Sequence, residues 1–214
     1  VTINTVAGDD VINLAEHSQA HIISGTATGA AAGDKVTVTI GGQTYTTVLD
    51  AAGNWSVGVP ASVISGLSDG SVTVRASVTD AAGNTGTGTH NVTVDTGLPS
   101  VSFNAISDDN VLNAVEKGQD LRVSGTSANL AEGTVVAVTL NGKNYTATTA
   151  ADGTWSLTVP AADLAGLGEA NYTLSASATN GVGNSVSNTA NLLVDTALPT
   201  VTINTVAGDN VINA

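Results

Sequence analysis

Lys35-Val36-Thr37-Val38-Thr39-Ile40-Gly41-Gly42-Gln43-Thr44-Tyr45-Thr46-Thr47-Val48-Leu49 decides the fold. Val36, Val38 and Ile40 alternate with Thr37 and Thr39. Successive side chains of a strand point to opposite faces, so one face here is apolar and the other polar. Gly41-Gly42 then makes a two-residue hairpin turn, which needs positive φ at both central positions. The chain returns over 43–49. The same hairpin recurs further on, where Val136, Val138 and Leu140 alternate and Asn141-Gly142 turns the chain.

Working outward from this hairpin, strands are expected at 2–5, 22–26, 35–40, 43–49, 55–59, 71–79 and 89–94, about seven in all. Gly53-Asn54 and Asp152-Gly153 close a second hairpin just before Trp55 and Trp155. The segment 60–67 is expected to be a short helical crossover, with Pro60 at its first turn and Gly66 near its end; 160–167 is its partner. Asn13-Leu14-Ala15-Glu16 and Asn113-Ala114-Val115-Glu116 have the Asn-x-x-Glu form of a capped helical turn.

Repetition organises the whole chain. Val1-Thr2-Ile3-Asn4 recurs as Val101-Ser102-Phe103-Asn104 and again as Val201-Thr202-Ile203-Asn204, a spacing of 100 residues each time. Tyr45, Trp55 and Pro60 map onto Tyr145, Trp155 and Pro160. Asp95-Thr96-Gly97-Leu98-Pro99 maps onto Asp195-Thr196-Ala197-Leu198-Pro199. Such a period is too long for a solenoid and is the length of one β-sandwich. The expected organisation is all-β: tandem immunoglobulin-like sandwich modules at 1–99 and 100–199, and the start of a third repeat at 200–214. No disulfide can form, because the chain has no cysteine.

Composition narrows the function. The 214 residues include 18 acidic and 5 basic side chains, a formal charge of −13. Nucleic acid is excluded as a partner, since a polyphosphate needs clustered Lys and Arg. The absence of Cys excludes thiol catalysis and Cys-ligated zinc or iron–sulfur sites. No apolar run approaches the roughly 20 residues of a spanning helix, so membrane insertion is not expected. The chain does not begin with Met or with a signal-peptide pattern. It is therefore read as an excised segment of a longer protein, whose secretion signals lie elsewhere.

The acids are concentrated in loops. Asp9 and Asp10 are adjacent, as are Asp108 and Asp109, and Asp209 with Asn210 is the third copy. Asp95 and Asp195 close the last strand of each module. Asp80 and Asn84 lie in one loop, and Asn180 and Asn184 in its counterpart. Glu16 and Glu116 stand in the capped turns. Five basic residues cannot pair eighteen acids, which leaves a hard cation as the expected partner. Ca2+ fits best, because it takes six to eight oxygens in flexible geometry. Sandwich topology is expected to gather Asp9, Asp10 and Asp95 at one pole, facing the 180–184 loop of the next module, so the neighbouring modules of the chain are themselves partners. Plain Asx-turns and caps are the competing reading of these loops. With Asn180 in place of Asp80, the second module's loop is expected to bind an ion weakly or not at all.

Asp-Thr-x-Leu-Pro, followed by Val-Thr-Ile-Asn-Thr-Val-Ala-Gly-Asp-Asp-Val-Ile-Asn-x-x-Glu and by Val-Thr-Asp-Ala-Ala-Gly-Asn, resembles the bacterial Ig-like repeats of giant secreted adhesins. These are the repeats of Bap-like biofilm-associated proteins and of the large non-fimbrial Salmonella adhesin. The resemblance covers the whole chain. It implies a calcium-binding extender module of a long rod, exported by type I secretion to the cell surface or medium. The parent would mediate attachment or biofilm formation, with a host-cell or surface receptor bound by its other parts. It also implies aspartate ligands at module junctions, carried here onto Asp9, Asp10, Asp80, Asp95, Asp109 and Asp195. Asn104 and Asn180 depart from that pattern.

An enzyme is not expected. Gly66-Leu67-Ser68-Asp69-Gly70 matches Gly-x-Ser-x-Gly, but that pattern acts only on a strand-to-helix elbow, and the second copy reads Gly166-Leu167-Gly168-Glu169-Ala170. His17, His21 and His90 map onto Lys117, Leu121 and Ala190, so no histidine is shared by the copies. The alternative function is an Ig-like module that itself recognises a glycan or protein. Trp55 and Trp155 could serve it, although core anchoring is the simpler use of a Trp flanked by Val57 or Leu157.

Overall fold

The computed structural model describes residues 1–204. In the first repeat the strands are β1 (Thr2–Ile3), β2 (Val11–Asn13), β3 (His21–Thr26), β4 (Lys35–Ile40), β5 (Gln43–Val48), β6 (Asn54–Val59), β7 (Gly70–Thr79) and β8 (Thr85–Asp95), with α1 at Ala61–Ile64. They form a three-stranded sheet β1-β3-β6 and a five-stranded sheet β2-β8-β7-β4-β5. Val36, Val38 and Ile40 of β4 pack with Ile23, Trp55 and Val59 of the other sheet in one core. Burying each such side chain stabilises the fold by about 1.5–3 kcal/mol. Gly41 and Gly42 have φ of 55° and 75°, as the two-residue hairpin requires.

The second repeat copies this plan. Its strands are β9 (Ser100–Phe103), β10 (Val111–Leu112), β11 (Leu121–Ala128), β12 (Val135–Leu140), β13 (Lys143–Thr148), β14 (Thr154–Val159), β15 (Ala170–Thr179) and β16 (Ser185–Val194), with α2 at Ala161–Leu164. The sheets run β14-β11-β9 and β10-β16-β15-β12-β13. Asn141 takes a φ of 48° and Gly142 one of 76°, the same turn as Gly41-Gly42.

Each repeat holds eight strands rather than seven. The additional ones are β2 and β10, which pair in parallel with β8 and β16. The opening strand thus leaves the small sheet after β1 and joins the large one at β2. The switch is made at Ala7, Gly8 and Asp10, all at positive φ. Helix α1 is one turn, shorter than the 60–67 crossover expected. Asn13 and Glu16 cap reciprocally as the motif requires: Asn13 Oδ1 accepts from the Ala15 and Glu16 amides, and Glu16 Oε2 accepts from the Asn13 amide. Asn113 and Glu116 repeat the arrangement.

Close packing divides the described chain into two units. The first comprises Val1–Ser100 together with the loops Ser127–Thr134 and Ala178–Val186; the second comprises Val101–Thr126, Val135–Ser177 and the described residues from Ser187 on.

Candidate functional site

Among the described residues, two acids meet basic side chains: Asp10 Oδ1 lies 2.7 Å from His90 Nε2, and Asp163 is ion-paired with Lys143. Most of the other described acids accept from backbone amides. Asp9 Oδ1 accepts from Val11 N and Asp109 Oδ1 from Val111 N. Asp95 Oδ1 accepts from Gly97 N at 3.0 Å, and Asp195 Oδ1 from Ala197 N. Asp108 stands exposed at a φ of 63°. The Asp10 carboxyl is held below the ordinary carboxylate range, first by the Val6 amide and then by His90. Asp209 lies outside the described residues.

Asp9 and Asp10 do not gather with Asp95. Val11 pairs in register with Thr93, so Asp10 lies three residues short of Asp95 along β8. At ~3.3 Å per residue that is about 10 Å of strand. Asp10 is instead fastened to His90 and to Val6 N. No group of three or more His, Asp or Glu that could hold a metal ion occurs among the described residues. The expected cluster of three carboxylates is therefore corrected.

What surrounds Asp95 is a set of amides. Asn13 lies opposite Asp95 in the strand register. Within the first compact unit, Asn184 is 3 % exposed. Its Oδ1 accepts from Leu14 N at 2.8 Å, and its Nδ2 donates to Asp95 O at 2.9 Å and Gly97 O at 3.2 Å. Asn180 Oδ1 accepts from Asn184 N and Val182 N, and its Nδ2 donates to Gly97 O at 3.4 Å. Asn129, at a φ of 58°, donates from Nδ2 to Gly97 O and Leu98 O. Asp95, Asn129 and Asn180 line an open cavity of about 330 Å3, together with Leu130, Ala131, Gly181 and Val182. Asn180, Asn184 and Asp95 were legible in the sequence as candidates. Asn129 is not among the residues expected to bind; its only local signal is an Asn suited to positive φ.

Calcium coordinates oxygen. At the Gly97 carbonyl, three NH2 groups already converge, so the donor set there does not fit the ion.

The 80–84 loop differs. Asp80 Oδ1 accepts from Ala82 N and Asn84 N, while its Oδ2 accepts from Asn84 Nδ2. The Asn84 amide side chain is the first cause holding the Asp80 carboxyl below its ordinary range. Asp50-Ala51-Ala52-Gly53-Asn54 has the same sequence and the same three bonds, so the loop is an Asx-turn by its own chemistry. Asp80 nevertheless shares an open cavity of about 440 Å3 with Asp34, Gly29, Ala30 and Ala31. Carboxylate oxygens accept several partners each, so this set keeps oxygen to offer a cation. Asp34 was missing from the residues expected to bind.

Trp55 and Trp155 are 3 % and 2 % exposed. Neither offers a face for stacking on a sugar, and Phe103 meets Trp155 edge-on at 5.4 Å between centroids.

Two disulfide-free sandwiches of three and five strands, repeated at fixed spacing, define an immunoglobulin-like class. The family model for the bacterial Ig-like domain matches residues 8–96 and 102–196, and the chain belongs to that family. Among solved structures it is similar to one described as a Ca2+-stabilized adhesin that helps an Antarctic bacterium reach out and bind ice, at 40% identity and a TM-score of 0.61. That match covers 91% of this chain and 48% of the other. It is also similar to a 1.5-MDa bacterial ice-binding adhesin studied for host cell surface retention, at 37% identity and a TM-score of 0.60, covering 92% of this chain and 64% of that one. The chain thus spans about half to two thirds of the structures it resembles. No curated protein matches it.

Proposed function

We propose that the chain is a structural extender segment of a bacterial surface adhesin, built of repeats 1–99 and 100–199 with a third opening at 200–214, and stabilised by calcium. The similarity at 40% identity over 91% of the chain to an adhesin described as Ca2+-stabilized carries this reading. The charge imbalance supports it: the chain has 18 acids against 5 basic side chains, and among the described residues only Asp10 and Asp163 meet a basic side chain. Asp80 and Asp34 would supply oxygens at one end of the first repeat. Asp9, Asp108, Asp109, Asp195, Glu16 and Glu116 are further oxygen donors that meet no basic side chain among the described residues. A chain without cysteine can pass a type I secretion channel unfolded and fold outside, where calcium is abundant. Attachment and biofilm formation would then belong to the whole parent, the receptor being bound elsewhere in it. No catalytic role is assigned.

Binding only to the folded state adds about 2.7 kcal/mol at a hundredfold excess over Kd. Calorimetry of the chain in CaCl2 and in EDTA is expected to show a higher melting temperature with calcium. Identical melting in both buffers overturns the calcium reading.

A further inference from the structure

We infer that Asn180 and Asn184, with Asn129, form an amide latch that holds the Asp95–Leu98 segment without any cation. The orientation of each amide is fixed by its partners. Leu14 N can only donate, so Asn184 must turn Oδ1 toward it and Nδ2 toward the carbonyls of Asp95 and Gly97. Asn180 Oδ1 takes two backbone N–H groups, which leaves its Nδ2 for Gly97 O. Gly97 O therefore receives three side-chain NH2 groups, from Asn129, Asn180 and Asn184. A buried Asn is stable only with its polar atoms satisfied, and Asn184 meets that condition on both sides of its amide.

The counterpart loop shows what the latch replaces. Asp80 occupies the position of Asn180, and a carboxylate cannot donate. Asn84 accordingly turns its Nδ2 inward to Asp80 Oδ2 and is exposed. Set against a carbonyl such as Gly97 O, Asp80 would present oxygen to oxygen, an arrangement that needs a cation between. One substitution, Asp to Asn, thus converts an ion-requiring loop into one that closes on hydrogen bonds alone. The latch stands on these contacts, independently of whether calcium binds elsewhere on the chain.

Amide exchange of Leu14, followed residue by residue in the full 214-residue chain, tests this. In the native chain, Leu14 protection is expected to be the same in EDTA and in CaCl2. Asn184→Ala is expected to speed Leu14 exchange by about tenfold or more in both buffers. Asn180→Asp keeps the shape and removes the donor; Leu14 is then expected to exchange faster in EDTA and to regain protection in CaCl2. Loss of Leu14 protection in EDTA in the native chain overturns the latch. So does undiminished protection in Asn184→Ala, or in Asn180→Asp under EDTA. A chain whose melting ignores calcium while Leu14 stays protected in EDTA refutes the calcium reading alone.

Discussion

Gly25→Ala probes the packing that both repeats share. Gly25 pairs with Ile3 on one side and with Trp55 on the other. A Cβ at this position would overlap the Thr2 carbonyl oxygen and lie 2.5 Å from Trp55 Cζ2 and 2.8 Å from Cε2. Ordinary contact begins at about 3.5 Å, so neither neighbour can stay in place. The Trp55 ring is enclosed by core, and the oxygen belongs to backbone. The strand that yields is β1, only two residues long. Its release forfeits Asn4 N→Ser24 O at 2.8 Å and the Thr2–Thr26 hydroxyl pair at 2.6 Å. Overpacking costs about 1–3 kcal/mol and each lost hydrogen bond about 0.5–1.5, so the sum is about 3–5 kcal/mol. For a domain of this size each kcal/mol moves the melting temperature by about 4–8 °C, giving a fall of about 12 °C or more. Gly125→Ala should do the same to the second repeat, where a Cβ would overlap Ser102 O and lie 2.6 Å from Trp155 Cε2. Scanning calorimetry reads both. A shift below about 4 °C in either variant would mean that β1 or β9 yields at almost no cost, and would refute the reasoning.

Trp55→Ala should destabilise the first repeat by about 3–5 kcal/mol in urea unfolding, as expected for an enclosed ring. Asp10 has a depressed carboxyl pKa, so its contribution is present above the unfolded value of about 3.9 and is lost as pH falls through the folded one. Asp10→Asn copies Asn110, which makes the same bond from Ile106 N, and should flatten the pH dependence of melting below about pH 4. The Tyr145 phenol is pushed up to about 12 by burial and by its hydrogen bond to Asp163. Asp163→Ala should bring its ultraviolet titration back toward the ordinary value near 10.

The strands with alternating Val and Thr were legible because each carries its own period. Those that were not legible depend on distant partners. Strand β2 is a three-residue segment whose pairing with β8 is parallel, and no local pattern encodes that. Strand β8 begins at Thr85, where Thr85-Gly86-Thr87-Gly88 has no apolar alternation and reads as loop. Its extended form there is set by antiparallel pairing with β7, Thr85 opposite Thr79 and Gly88 opposite Ala76, and the Val1 carbonyl oxygen leaves no room for a Cβ at Gly88. The acidic surplus was visible as arithmetic, and the capping turns as motifs. The partner of each carboxylate was not, because Asp9 and Asp95 are met by amides two residues on, and Asp10 by a histidine 80 residues away.

The two copies inside one chain separate what specifies the sandwich from what specifies its ends. Gly25 and Gly125, Trp55 and Trp155, and the Asn13–Glu16 and Asn113–Glu116 caps keep residue and contact alike. Elsewhere the contact persists while its chemistry changes. Lys117 stands where His17 does, and each places a side-chain nitrogen on the carbonyl of Leu67 or Leu167. Glu169 replaces Asp69 and still accepts from the amide and hydroxyl of Thr196, as Asp69 does from those of Thr96. Asn180 for Asp80 is different in kind. The turn survives unchanged, since both side chains accept from the backbone at i+2 and i+4, yet one of them gains a donor and the other keeps a charge. Substitution at that position leaves the turn untouched and decides only whether the loop presents an NH2 donor or a carboxylate oxygen to what lies beside it.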